Sequence, residues 1–346
     1  MYKFLYSLAT DENNSIIARF VKIFLLIFSF FYGLIIRFLV FIYRQKQKKL
    51  DCRTISVGNI TLGGTGKTVL VEYIARFLKQ QGYNVAVLSR GYKKRGGMGD
   101  EPYMLKTNLK DIPVVVNKNR IRAAKSAMRD YKTDAVILDD GFQQWHIKKD
   151  LEIVVIDSTN LFGNKHMLPR GILREPLTSL KRADVFMLTK TNLNPNTYEV
   201  KDFLCRINYN ALIVESIHKP QVLYLLNKKS EILNNYILRG KSVAVFSAIG
   251  DPDSFEALVV SLGARICLTF KFSDHYNYAK KDLDNIIKAS QQKKIDTIIT
   301  TEKDAARIYE SKVKIDGLQI LVLRIELKIT KNEEEFNNRL LSLYSR

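Results

Sequence analysis

Apolar residues are arranged along this chain in two ways, and each predicts a different kind of element. Residues 23–36 (IFLLIFSFFYGLII) carry no charge and are apolar on every side, unlike the one-sided stripe of a helix packed on a soluble core. Extended past Arg37 through FLVFIY, the run over 23–43 makes about 31 Å of helix at ~1.5 Å per residue, one hydrocarbon thickness, so a membrane span is open. Arg37 would cost up to ~3 kcal/mol at the bilayer centre unless it snorkels, which leaves a shallow interfacial helix open as well. DENN precedes the run and RQKQKK follows it, so an inserted helix would leave the rest of the chain in the cytoplasm. The acidic front and the lack of a small-residue cleavage site argue against a removable signal peptide.

From Arg53 onward the apolar runs are short, β-branched and separated by stretches of helical period. Strands are expected at TISVGNI (54–60), NVAVLS (84–89), PVVV (113–116), AVILDD (135–140), LEIVVID (151–157) and DVFMLT (184–189), with helices over 68–81 and 120–131. Strands that are apolar throughout belong between two helical layers, with ligands at their carboxyl ends. A second α/β pattern follows in KSVAVFSAIG (241–250), DPDSFEALVVSLG (251–263), RICLTF (265–270), TIIT (297–300) and QILVLRI (319–325). ALIVES (211–216) and VLYLLN (222–227), separated by His218, Lys219 and Pro220, read as a linking pair of strands. The expected fold is therefore α/β: a first domain with a largely parallel sheet, P-loop NTPase-like because GGTGKT (63–68) follows its first strand, and a second, smaller α/β domain. The expected boundaries are 1–50 for a membrane-associated helical segment, 51–210 for the P-loop domain, 211–228 for a two-stranded linker and 229–346 for the second domain with a terminal helix.

Candidate chemistry begins at RTISVGNITLGGTGKT (53–68), where an apolar run feeds a glycine cluster and a Lys-Thr pair opening a helix. In a P-loop, Gly63, Gly64, Thr65 and Gly66 let backbone N–H groups approach phosphate oxygens. Lys67 reaches the terminal phosphates, and the Thr68 hydroxyl holds Mg²⁺ at the positive helix end. Thr61 stands where the strict motif has its first glycine, so this is a GGTGKT variant. AVILDD places Asp139 and Asp140 where a buried strand emerges, the position of a Walker B carboxylate. There one aspartate can hold Mg²⁺ while the other binds metal or orients the acceptor.

Lysine and arginine outnumber acids 55 to 35, a net charge of +20, which favours an anionic partner: nucleic acid, a membrane surface or a phosphorylated substrate. No RNP-type or zinc-finger pattern supports nucleic acid. Three widely spaced cysteines suggest neither a disulfide framework nor a zinc site.

Further polar clusters stand at SRGY (89–92), GDEP (99–102), DDGFQQ (139–144), GNKHMLPRGILREP (163–176), DHY (274–276) and TTEKDAAR (300–307). In order and spacing these segments resemble the tetraacyldisaccharide 4'-kinase family over most of the chain. The resemblance implies ATP- and Mg²⁺-dependent phosphorylation of the 4'-hydroxyl of a tetraacylated glucosamine disaccharide 1-phosphate, in lipid A biosynthesis at the cytoplasmic leaflet of the inner membrane. It also implies Asp100 and His275 as an acid/base dyad, Lys67 and Asp140 as further catalytic groups, Arg174 as a phosphate contact, and Thr68 with Asp139 as Mg²⁺ holders. Asn59, Arg90, Arg120 and Gln143 become expected substrate contacts. On this reading His275 reaches Asp100 across an interdomain cleft, and its imidazole keeps the carboxylate poised near working pH. The chain departs from the family pattern at Val69, at Gln144, where the family has histidine, and at Lys165. A membrane-associated P-loop ATPase acting as a partner switch would explain GGTGKT and the anchor, but leaves GDEP, DHY and LREP without a role.

Overall fold

A computed structural model of the chain describes residues 8, 11, 15–91, 99–311 and 319–345. Residues 12–14 of DENN and Tyr92 of SRGY lie outside the described residues. In chain order the first half folds as α1 (Ile16–Gln45), β1 (Arg53–Gly58), α2 (Lys67–Gln80), β2 (Val85–Ser89), α3 (Asp100–Asn108), β3 (Val114–Val116), α4 (Arg120–Tyr131), β4 (Ala135–Asp139), β5 (Leu151–Asp157) and β6 (Val185–Thr189). The second half adds α5 (Thr197–Ile207), β7 (Leu212–Leu225), β8 (Lys228–Leu233), β9 (Ser242–Ser247), α6 (Pro252–Ser261), β10 (Arg265–Lys271), α7 (Lys280–Gln292), β11 (Thr297–Thr301), α8 (Glu302–Ser311), β12 (Gln319–Lys331) and α9 (Glu333–Leu341). These elements divide into two compact units, one made of 1–89, 117–217 and 329–346, the other of 90–116 and 218–328.

The first unit is built on parallel strands in the order β2-β4-β1-β5-β6. β2, β4, β5 and β6 are buried at every position, because helices cover both faces of such a sheet and a continuous apolar run is what that environment accepts. Helix α2 turns Leu70, Val71, Ile74, Ala75 and Leu78 inward. The parallel register sets Val57 of β1 beside Asp139 of β4, and Asp157 of β5 beside Thr189 of β6, so the polar ends of these strands share one edge. Gly58 is required where β1 leaves the sheet: a Cβ there would stand 2.4 Å from the Phe142 backbone nitrogen.

Helix α1 belongs to this unit. It spans 30 residues, longer at both ends than the predicted run, with Ser15 Oγ accepting from the Ala18 N–H at 3.3 Å as an N-cap. Its only buried positions are Ala18, Ser29, Gly33 and Ile36; Phe24, Phe31 and Phe38 are among the many large apolar residues left exposed.

The second unit carries parallel strands in the order β10-β9-β11-β12, with β8 pairing antiparallel to β7. Its core includes Phe246, Tyr278, Ile298 and Val322.

Three features differ from the sequence expectation. The supposed linker pair is one strand, β7, running 14 residues straight through His218, Lys219 and Pro220, since the fixed φ of proline suits extended backbone. Residues 90–116 group with the second unit because α3 packs on α8: Asn108 Nδ2 donates to Glu302 Oε2 at 3.0 Å, and Lys303 Nζ to Glu101 Oε1 at 2.7 Å. The terminal helix α9 groups with the first unit, where Phe336 lies 6.3 Å from the ring of Tyr73, and Tyr344 beyond the helix stacks on Tyr83 at 3.6 Å.

Candidate active site

The loop from β1 to α2 is shaped by backbone that side chains disfavour. Gly63 has φ +115°, and Gly66, the residue capping α2, has φ +88°. This exposes the N-terminus of α2, whose free N–H groups and dipole favour anions. Thr65 is buried, its carbonyl accepts from Thr189 Oγ1 at 3.0 Å, and its own Oγ1 has no protein partner. An orphaned hydroxyl beside a helix N-terminus suits a phosphate oxygen.

Lys67 Nζ donates to Asn59 Oδ1 at 3.1 Å and stands 3.7 Å from Asp140 Oδ1. Arg174 arrives from a loop tied to the P-loop backbone, since its N–H donates to the Ile60 carbonyl at 2.7 Å and the Leu62 N–H to the Ile172 carbonyl at 2.8 Å. Its guanidinium grips Asp140 with both ends, at 2.9 and 3.0 Å, and donates to Asn59 Oδ1 at 3.3 Å. Burial would raise the Asp140 carboxyl, but the charges of Lys67 and Arg174 outweigh it and hold the group at about 2. Asp140 is thus the anion that Lys67 and Arg174 share. So firmly ionised a carboxylate is a weak proton acceptor at neutral pH.

Asp139 ends β4, buried, and accepts from Ser89 Oγ at 3.1 Å. With the Thr68 hydroxyl it offers hard oxygen donors, the chemistry that Mg²⁺ takes when phosphates and water complete its shell. Among the described residues no group of three or more His, Cys, Asp and Glu side chains forms a protein-only metal cage.

The expected substrate contacts have different placements. Arg120 is 1% exposed and donates to the backbone carbonyls of Asn117 at 2.9 Å and Asp139 at 3.1 Å, bracing the end of β4 from inside. Gln143 Nε2 donates to the Asn59 carbonyl at 3.1 Å and to Glu175 Oε1 at 3.0 Å, alongside the Trp145 indole at 3.0 Å. Asn59 is fully buried at the centre of these bonds. Arg90 follows β2 with its side chain exposed. His146 packs against Tyr43 of α1, with ring centroids 6.3 Å apart.

In the second unit Asp100 begins α3 and accepts from His275, whose Nδ1 lies 3.1 Å from its Oδ2. His275 holds a left-handed backbone, φ +60°, with its N–H bonded to Asp274 Oδ1 at 2.9 Å. Both partners of the expected pair lie in the same unit, so no reach between domains is needed to join them. The sequence reading gave no role to Arg307 of TTEKDAAR. That side chain is 2% exposed and donates through Nε to Asp100 Oδ2 at 2.7 Å. Asp304 Oδ1, at 3.0 Å, and the Ala248 carbonyl hold the guanidinium from behind. Burial alone would raise the Asp100 carboxyl; the His275 bond and the charges of Arg307 and Lys303 prevail and hold it far below the carboxylate range. This corrects the expectation of a carboxylate poised near working pH. The i, i+3 spacing of Asp304 and Arg307 on α8 was the available signal for their pairing.

The pattern of the family described as tetraacyldisaccharide-1-P 4'-kinase matches residues 21–345. The chain belongs to that family. It is 36% identical to the tetraacyldisaccharide 4'-kinase of Halothermothrix orenii over 94% of each chain, and 34% identical to that of Elusimicrobium minutum over 87% of this chain and 84% of that one. Its fold matches LpxK from Aquifex aeolicus, crystallised in complex with ATP, with a TM-score of 0.73 and 28% identity over 94% of this chain and 99% of that one. The family is one of ATP-dependent kinases.

Proposed function

We propose that the protein transfers the γ-phosphoryl group of ATP to the 4'-hydroxyl of a tetraacylated glucosamine disaccharide 1-phosphate, at the cytoplasmic face of the inner membrane. The observation that carries this reading is the convergence of Lys67 and Arg174 on one anion, Asp140, beside the glycine-rich N-terminus of α2 in a chain of this family. Phosphoryl transfer asks for positioning and charge neutralisation more than for covalent chemistry. An incoming phosphate competes with Asp140 for Lys67 and Arg174, while backbone N–H groups of the loop orient its oxygens. Thr68 and Asp139 would hold the Mg²⁺ that enters with ATP and neutralises charge on its phosphates.

For the proton of the attacking hydroxyl, Asp100 and His275 serve as one group. Arg307 keeps Asp100 ionised, so the carboxylate orients the imidazole and stabilises it when charged, and the imidazole takes up the proton. Among the expected substrate residues, Asn59 and Gln143 act by holding Lys67, Arg174 and the loop backbone in place.

The lipid substrate and the outer face of α1 support a membrane partner. Ser29, Gly33 and Ile36 lie on one inner stripe against the first unit, which favours a helix lying along the membrane surface, with Arg44, Lys46, Lys48 and Lys49 at its end for anionic headgroups. The test is ATP turnover by the full chain with acylated disaccharide 1-phosphate, DNA, RNA or no acceptor. Turnover that needs the lipid supports the proposal; equal turnover without it overturns it.

A further inference from the structure

The inner stripe of α1 meets the loops that carry the phosphate-site charges. The Tyr32 hydroxyl donates to the backbone carbonyl of Arg174 at 3.1 Å, and Ser29 Oγ to the carbonyl of Met167 in the same loop. The approach is close, since a Cβ at Gly33 would stand 3.2 Å from Met167 Sδ. Toward the end of α1, the Tyr43 ring lies 6.3 Å from that of Trp145, and Gln47, two residues past the helix, donates through Nε2 to the Trp145 carbonyl at 2.9 Å. Trp145 sits in the segment that begins with Asp140 and Gly141, and its indole shares Glu175 with Gln143. One helix therefore braces both the backbone of Arg174 and the segment following Asp140, the residues whose charges meet at Asn59 and Lys67.

We propose that α1 is a wall of the phosphate site as well as its membrane contact, with Tyr32 a positioning residue that sets the place of Arg174. A helix serving only as an anchor needs no polar bonds to these loops. Here the outer face is apolar and the inner face is bonded, so adsorption that holds α1 also holds Arg174. Membrane docking and nucleotide binding then favour one another by the same factor. The inference rests on Arg174 contacting phosphate and on the outer face contacting lipid.

The experiment uses the full chain and measures MgATP affinity and kcat in mixed micelles, with co-sedimentation on vesicles of anionic phospholipid in the absence of nucleotide. Tyr32→Phe removes one hydroxyl and keeps the ring. The expected result is wild-type vesicle binding and thermal midpoint, with MgATP affinity about five- to tenfold weaker, the loss associated with one hydrogen bond. Phe31→Ser combined with Phe38→Ser, on the outer face, is the positive control for lost vesicle binding. Wild-type MgATP affinity and kcat in Tyr32→Phe would overturn the inference, and so would a loss of affinity matched by lost vesicle binding. Arg174→Ala separates the two layers. If it binds MgATP normally, the phosphate reading fails and this inference with it; if it binds weakly while Tyr32→Phe is normal, this inference alone fails.

Discussion

Replacing Arg307 tests how the proton-accepting pair is built. The guanidinium is 2% exposed, 2.7 Å from Asp100 and 3.0 Å from Asp304, so its removal strands two carboxylates. Breaking a buried ion pair from one side costs about 3–5 kcal/mol, and Arg307→Met should lower stability by that order. Arg307→Lys keeps the charge but not the fork that also reaches the Ala248 carbonyl, and should lose less. In Arg307→Met the Asp100 carboxyl rises, because burial then acts with less opposition, whereas Arg307→Lys keeps the opposing charge. The sign follows from linkage. In the wild type the depressed Asp100 contributes stability that is present above the ordinary carboxylate range, near pH 4, and is lost only as pH falls through its lower folded value. Loss of the Arg307 charge shrinks that contribution, because the folded value moves up toward the unfolded one and less stability remains to be lost on acidification. Catalysis should follow: kcat falls by about 10² in Arg307→Met, and the acid limb of its pH profile moves to higher pH, while MgATP affinity is kept. The assay is kcat against pH with the acylated disaccharide 1-phosphate, alongside urea unfolding at several pH values. A folded Arg307→Met enzyme with wild-type kcat and an unmoved acid limb would refute the reasoning.

Asp100→Ala and His275→Ala should each lower kcat by about 10² to 10⁴ with ATP affinity nearly unchanged, and the double mutant should be little worse; fully multiplicative losses in steady-state kinetics would split the pair into separate roles. Lys67→Ala and Asp139→Asn should lose about 10² to 10³, mainly in kcat, and wild-type turnover in either would remove the P-loop from the mechanism. Gly58→Ala brings a methyl within 2.4 Å of the Phe142 backbone, so thermal unfolding should show destabilisation of about 1–3 kcal/mol or more, and an unchanged midpoint would contradict the packing described for that strand end.

Local pattern determined much of this protein. The runs read as β1, β2, β4, β5 and β6 became strands because a sheet covered on both faces accepts uninterrupted apolar residues, and that requirement is written residue by residue. GGTGKT announced its own backbone, since only glycine takes the φ that Gly63 and Gly66 adopt without cost, and the ordered motifs named the family. Asp100 and His275 were paired through that resemblance, and the geometry joins them at 3.1 Å.

What the tertiary structure decided depends on contacts between distant positions. Arg307 is 207 residues from Asp100, and no local period encodes that bond or the fixed ionisation it gives the carboxylate. Arg120 was an expected substrate contact through the resemblance, and only packing closes over it and turns it toward the carbonyl of Asp139. Pro220 suggested a break, yet an extended strand needs only the φ that proline already has. The uniformly apolar run of α1 concealed an inner stripe of Ala18, Ser29, Gly33 and Ile36, because which side of a helix meets the body depends on the surface it lands on, and that surface is assembled from loops more than a hundred residues away, such as those of Met167 and Arg174.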